Sequence, residues 1–177
     1  MITRRTFLVT GVAGAAALTG AWWLRRRLLE RPGAPSTEPW SGFDPEAKTI
    51  VAAIVPVMLD GALPNPPSDR AAAVDETVDG VGNAIAGLAP AAQDELAQLF
   101  ALLAFAPARI ALAQVTAPWR DASPATINAF LDSWRESRWQ LQRSAYDALN
   151  DLILAAWYGN ERSWPAIGYP GPPRLTG

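Results

Sequence analysis

Prolines stand where a three-and-four spacing of apolar residues begins or stops, and this pairing divides the chain into separate helices. Asp44 is suited to cap a helix whose first position is Pro45, where a missing N–H does no harm. Ile50, Ala53, Ile54 and Val57 then fall at i, i+3, i+4 and i+7 and make one apolar face. Pro56 removes an intrahelical bond, so the helix is expected to kink or end near the preceding turn. The stretch from Gly61 to Pro67 follows as a loop stiffened by Pro64, Pro66 and Pro67. Ser68 is placed to cap a second helix carrying Val74, Val78, Val81, Ile85 and Leu88. A third starts near Pro90 and shows Leu96, Leu99, Phe100 and Leu103; Pro107 is expected to end it, before a short Ala-rich helical piece running to Val115.

Ser123-Pro124 opens a fourth helix with Ile127, Phe130, Leu131 and Trp134 in the same spacing. A fifth runs from about Trp139 to Trp157, with Leu149, Leu152, Ile153 and Ala156 on its face. Gly159 is placed to end it in a left-handed conformation. No segment alternates with period two for long enough to make a strand. The expected fold is all-α: an irregular bundle of about five helices over residues 44–159. It is preceded by an N-terminal signal or anchor helix (1–32) and a Pro/Gly/Ser-rich linker (33–43). Residues 160–177 hold so many Pro and Gly that they read as an extended tail, yet Trp164, Ile167 and Tyr169 sit in it. Apolar residues in such a tail must fold back on the bundle or dock onto another protein, and Trp164 and Tyr169 are assigned to partner contact.

Charge divides the chain in the same place. Six of the 15 basic residues and one of the 17 acidic ones precede residue 33, so the remainder carries nine basic against sixteen acidic side chains, formally −7. That balance offers no footprint for nucleic acid. Cysteine and histidine are both absent. Disulfides, thiolate nucleophiles and iron–sulfur ligation are thereby excluded, as are a Ser-His-Asp triad and His-ligated haem. No calcium loop and no Gly-rich phosphate loop occurs, and Asp75-Glu76 and Asp94-Glu95 are sequence neighbours that point apart on a helix. No catalytic, cofactor-binding or metal-binding residue is therefore expected in this chain. Trp134 and Trp157, at helical spacing, read as core or interface anchors, and Arg135, Arg138 and Arg143 beside Asp132 and Glu136 as a solvated face.

The N-terminal run Thr3-Arg4-Arg5-Thr6-Phe7-Leu8 resembles the twin-arginine export signal, with Arg4, Arg5, Phe7 and Leu8 at its defining positions. The uncharged stretch Phe7 to Leu24 follows. It suits a leader cleaved near Thr19-Gly20-Ala21, and its length is also near the minimum for a retained inner-membrane anchor. Arg25-Arg26-Arg27 would put positive charge on the outer side of such an anchor. The resemblance implies transport of a folded protein across the bacterial inner membrane by the twin-arginine translocase, to the periplasm.

A second resemblance lies at the other end. Trp164-Pro-Ala-Ile-Gly-Tyr-Pro-Gly-Pro-Pro173, with Ile50 to Pro56, is similar to the gluconate 2-dehydrogenase small-subunit (subunit 3) family; where that family has a Thr-x-x-Pro-Gly-Ala loop, this chain reads Asp60-Gly-Ala-Leu-Pro64. The resemblance implies a non-catalytic small subunit that stabilises and exports a large flavin-dependent dehydrogenase of the glucose–methanol–choline type. FAD would lie in that partner, a cytochrome c subunit often completes such complexes, and Trp164, Ile167, Gly168, Tyr169 and Pro170 would form the partner-binding site. The alternative is a stand-alone periplasmic or membrane-anchored protein that takes a small ligand in a groove between helices.

Overall fold

The computed structural model describes residues 43–172, and these are all-helical, with no strand among them. The first helix, α1 (Pro45–Met58), is capped as expected: the Asp44 carboxylate accepts from the Ala47 N–H at 2.8 Å. The helix does not end before Pro56 but continues to Met58. Proline deletes one hydrogen bond there, and the ladder closes beyond it through Leu59 N–H to the Val55 carbonyl at 2.9 Å. Ala47, Ile50, Val51, Ile54, Val55 and Leu59 are all buried, while Ala53 and Val57 lie half-buried at the margins. The buried stripe is thus rotated from the expected one, because α1 is not a surface helix with one inward face. It packs against the second, third, fifth and sixth helices and against the turn at Trp119.

Helix α2 (Pro67–Ala86) follows from Pro66 with no side-chain cap; Ser68 lies inside its first turn, its hydroxyl 3.3 Å from the Asp69 carboxylate. Two prolines already fix the entry, so no cap is needed to set it. Val78, Val81 and Ile85 are buried as the spacing requires, whereas Leu88 lies past the helix end and is exposed. Phe43, counted with the linker by composition, packs edge-on against Phe100 at 5.9 Å. It fits because Gly82 has no Cβ, which would stand 2.8 Å from the ring.

Helix α3 (Pro90–Ala104) ends with Phe105 in extended conformation, before Pro107 is reached. Pro107 instead sits inside a one-turn α4 (Ala106–Ala108), where a proline is tolerated. A π-helical turn (Arg109–Ala113) follows and stops at Gln114 in the left-handed region, φ 58°. Ser123 caps α5 (Pro124–Arg135), accepting from Thr126 N–H at 3.2 Å, and Ile127, Phe130, Leu131 and Trp134 are buried together. Helix α6 (Gln140–Tyr158) buries Leu149, Ile153 and Trp157 and forms the broadest contact of the fold, with α2. Gly80 and Ala156 meet there; a Cβ on Gly80 would lie 3.1 Å from that of Ala156. Gly159 does not adopt the expected left-handed conformation, since its φ is −71°. Glycine is required for another reason: a Cβ would stand 2.8 Å from the Ala155 carbonyl oxygen.

Candidate functional site

The chain beyond Gly159 is not extended throughout. Glu161–Ile167 form a 3-10 helix, started by the Asn160 side chain, which accepts from Arg162 N–H at 2.9 Å. A 3-10 helix bonds i to i+3 and admits Pro165 where a longer α-helix would not. Ser163, buried, donates to the Asn160 carbonyl at 2.8 Å. Gly168 then takes φ +70°, a conformation open to glycine, and Tyr169 N–H returns to the Trp164 carbonyl at 3.0 Å.

Two attachments hold this turn on the bundle. The Arg162 guanidinium grips Glu76 of α2 with a fork, Nε at 2.9 Å and Nη2 at 2.7 Å, while the Asn160 amide donates to the same carboxylate at 3.0 Å. The Arg162 hydrogen bonds, and after them that of Asn160, hold the Glu76 carboxyl below its ordinary range; the Arg162 guanidinium is raised by the same pairing. The second attachment is Trp164, whose indole N–H donates to the Tyr158 carbonyl at 3.0 Å. Its ring meets Tyr169 edge-to-face at 5.2 Å, and the chain recrosses it at Gly171.

The tail residues assigned to partner contact therefore divide. Trp164 is turned onto its own chain and half-buried. Ile167 is 54% exposed and Tyr169 45%, with Gly168 and Pro170 exposed beside them. The result is a small aromatic and aliphatic knob on a fixed turn. The export-signal residues Arg4, Arg5, Phe7 and Leu8 lie outside the described residues, as does Pro173.

Trp164 belongs to a pattern that residue spacing did not reveal. The Trp119 indole donates to the Leu103 carbonyl near the end of α3, and the Trp134 indole to the Leu112 carbonyl near the end of the π turn, both at 2.9 Å. With Trp164 on the last residue of α6, three indoles satisfy carbonyls that their helices leave open. Trp119, Phe130 and Trp134 also stack edge-on at 5.6 and 4.8 Å, so Trp119, Trp134 and Trp157 serve the core as helical spacing required of the latter two. Arg109, the one charged residue between Glu95 and Arg120, turns inward and donates to the Val115 carbonyl at 3.1 Å and that of Thr116 at 3.4 Å.

Between helices, a shallow depression of about 210 Å³ is lined by Asp44, Ala97, Phe100, Ala101 and Ala104. Its sole charged group, Asp44, is already engaged as the α1 cap, which leaves little to orient a ligand. Among the described residues no cluster of three acidic side chains is arranged to hold a metal ion, and no single helix is long and apolar enough to cross a membrane. Comparison of the chain with protein-family models, curated proteins and solved structures finds no match in any of the three.

Proposed function

We propose that this chain is the non-catalytic small subunit of an exported FAD-dependent dehydrogenase, carrying the twin-arginine signal for a flavoprotein that folds around its cofactor before export. The observation that carries the reading is the C-terminal turn. Its sequence resembles the small-subunit signature, and its Ile167 and Tyr169 side chains project from a backbone fixed by Glu76, Arg162 and Trp164. A preorganised apolar knob of this kind docks with little further loss of conformational freedom. In this role the chain supplies an address at Arg4-Arg5 and a contact at Ile167 to Pro170, while the hydride chemistry and FAD belong to the large subunit.

The test has two arms, both in cells producing the chain with its flavoprotein. Replacing Arg4 and Arg5 by lysine leaves periplasmic dehydrogenase activity absent and the flavoprotein in the cytoplasm. Replacing Ile167 and Tyr169 by serine leaves this chain exported but separates it from the flavin-coloured subunit on purification. Unchanged export of the flavoprotein in the first arm overturns the carrier role.

A further inference from the structure

The end of the molecule where α6 begins carries an apolar surface of a different kind. Leu102, Phe105, Ile110 and Leu112 are exposed along the end of α3 and the π turn, and Trp139 and Leu141 are exposed at the start of α6. The Trp134 indole on the Leu112 carbonyl ties the π turn to the end of α5, five residues before Trp139, and so brings the two groups to one corner. Phe105 is 61% exposed and Leu141 80%, and apolar side chains gathered on a surface, rather than scattered singly, mark an interaction site.

We propose that this corner rests in the surface of a lipid bilayer. Three observations favour lipid over a protein partner. The first is hydropathy: Pro90–Ala104 and Ala106–Ala113 together match a membrane segment in composition, and while Leu96, Phe100 and Leu103 are spent on the core, Leu102, Phe105, Ile110 and Leu112 around the 81° bend are not. The second is the handling of charge. Arg109, the single charge between Glu95 and Arg120, is folded inward onto the Val115 and Thr116 carbonyls, so that no charged side chain stands among Leu102, Phe105, Ile110 and Leu112.

The third is the rim. Three of the nine basic residues beyond residue 32 stand within nine positions here. Arg138 lies 4.8 Å above the Trp139 ring, Arg143 is bonded to Ser137 and Gln140, and Arg135 pairs with Asp132 and Glu136. Tryptophan, leucine and arginine at one edge are the side chains that settle at headgroup depth, with rings and stems in the acyl boundary; Arg138, stacked on Trp139, is the guanidinium placed to meet phosphate. The rest of the domain is acidic and would be repelled by an anionic membrane, which leaves this corner as the approach. Trp139 and Leu141 stand at the start of α6 and the turn bearing Ile167 and Tyr169 follows its end, and the helix between them is about 27 Å long at 1.5 Å per residue. Lipid and a protein partner can therefore be engaged together, and neither proposal depends on the other.

The absence of cysteine makes a direct test possible. Full-length Phe105→Cys, Leu112→Cys and Asp75→Cys variants, each carrying an environment-sensitive fluorophore, are mixed with phosphatidylethanolamine–phosphatidylglycerol vesicles after circular dichroism has shown unchanged helicity. The labels at 105 and 112 are expected to shift to shorter wavelength, brighten, and be quenched by a nitroxide on the acyl chains, while the label at the acidic face of α2 stays in water. Because each label reads only its own site, binding through residues 7–24 cannot imitate this result. Labels at 105 and 112 that stay in water while the chain sediments with vesicles overturn the proposal. So does a shift that grows with protein concentration in the absence of vesicles, which assigns the corner to a second copy of the chain.

Discussion

Aromatic residues hold two parts of this molecule in opposite ways. Around α1, Trp119, Phe130 and Trp134 are enclosed by aliphatic helices, and their position follows from apolar burial. At the C-terminal turn, Trp164 and Tyr169 have one side in water, and their position follows from polar ties to Glu76 and to the Tyr158 carbonyl. Burial is non-directional and large, whereas hydrogen bonds and exposed ion pairs are directional and individually small. The core is therefore fixed by quantity, and the turn by geometry. A region held by geometry can open without unfolding the rest.

The core is most sensitive at Trp119. Trp119→Ala removes a fully buried ring and leaves the Leu103 carbonyl without its donor; about 3–5 kcal/mol of stability is lost, read as a fall in the urea midpoint. Asp44→Ala opens the first turn of α1 and costs roughly 1 kcal/mol in the same assay, because α2, α3, α5 and α6 all pack on the helix it caps. Glu76→Gln does something different in kind. It leaves the urea midpoint nearly unchanged but speeds amide hydrogen exchange at Gly168 and Tyr169, since only the turn depends on the pair. Equal acceleration in α1 would show that turn and core are one cooperative unit.

The smallest effect is that of pH on the turn. The Glu76 carboxyl is held below its ordinary 4.5 in the folded chain, chiefly by Arg162. The pairing is fully present above that ordinary value and is lost as pH falls through the lower folded one. Exchange at Gly168 and Tyr169 is therefore expected to depart from its usual pH dependence only in acid below 4.5, and Glu76→Gln to abolish the departure.

Periodicity made most of the helices legible, because α2, α3, α5 and α6 each bury a stripe that recurs every three or four residues. It misplaced the stripe on α1, since a helix surrounded by neighbours has no single inward face to record. Proline was a sound marker of helix starts at 45, 90 and 124 and a poor marker of ends, because Pro56 loses one bond in a helix that is otherwise buried. The π turn and the inward Arg109 left one trace, a lone charge in a long uncharged stretch. The C-terminal turn escaped notice because Pro165 forbids an α-helix but not a 3-10 helix, and because its anchor, Glu76, lies far away in the sequence. Which carbonyls the indoles reach is a matter of three-dimensional proximity, and no spacing rule encodes it.

Those indole contacts also set an order in time. Each donor comes later in the chain than the helix end it completes: by 16 residues for Leu103 and Trp119, by 22 for Leu112 and Trp134, and by 6 for Tyr158 and Trp164. On a ribosome, α3 emerges with its last turn open and stays so until Trp119 is made, and the π turn waits in the same way for Trp134. The final seal, on α6, is delivered by the same short segment that displays Ile167 and Tyr169. A newly made chain thus cannot complete that knob before the donors for the other two helix ends have been made.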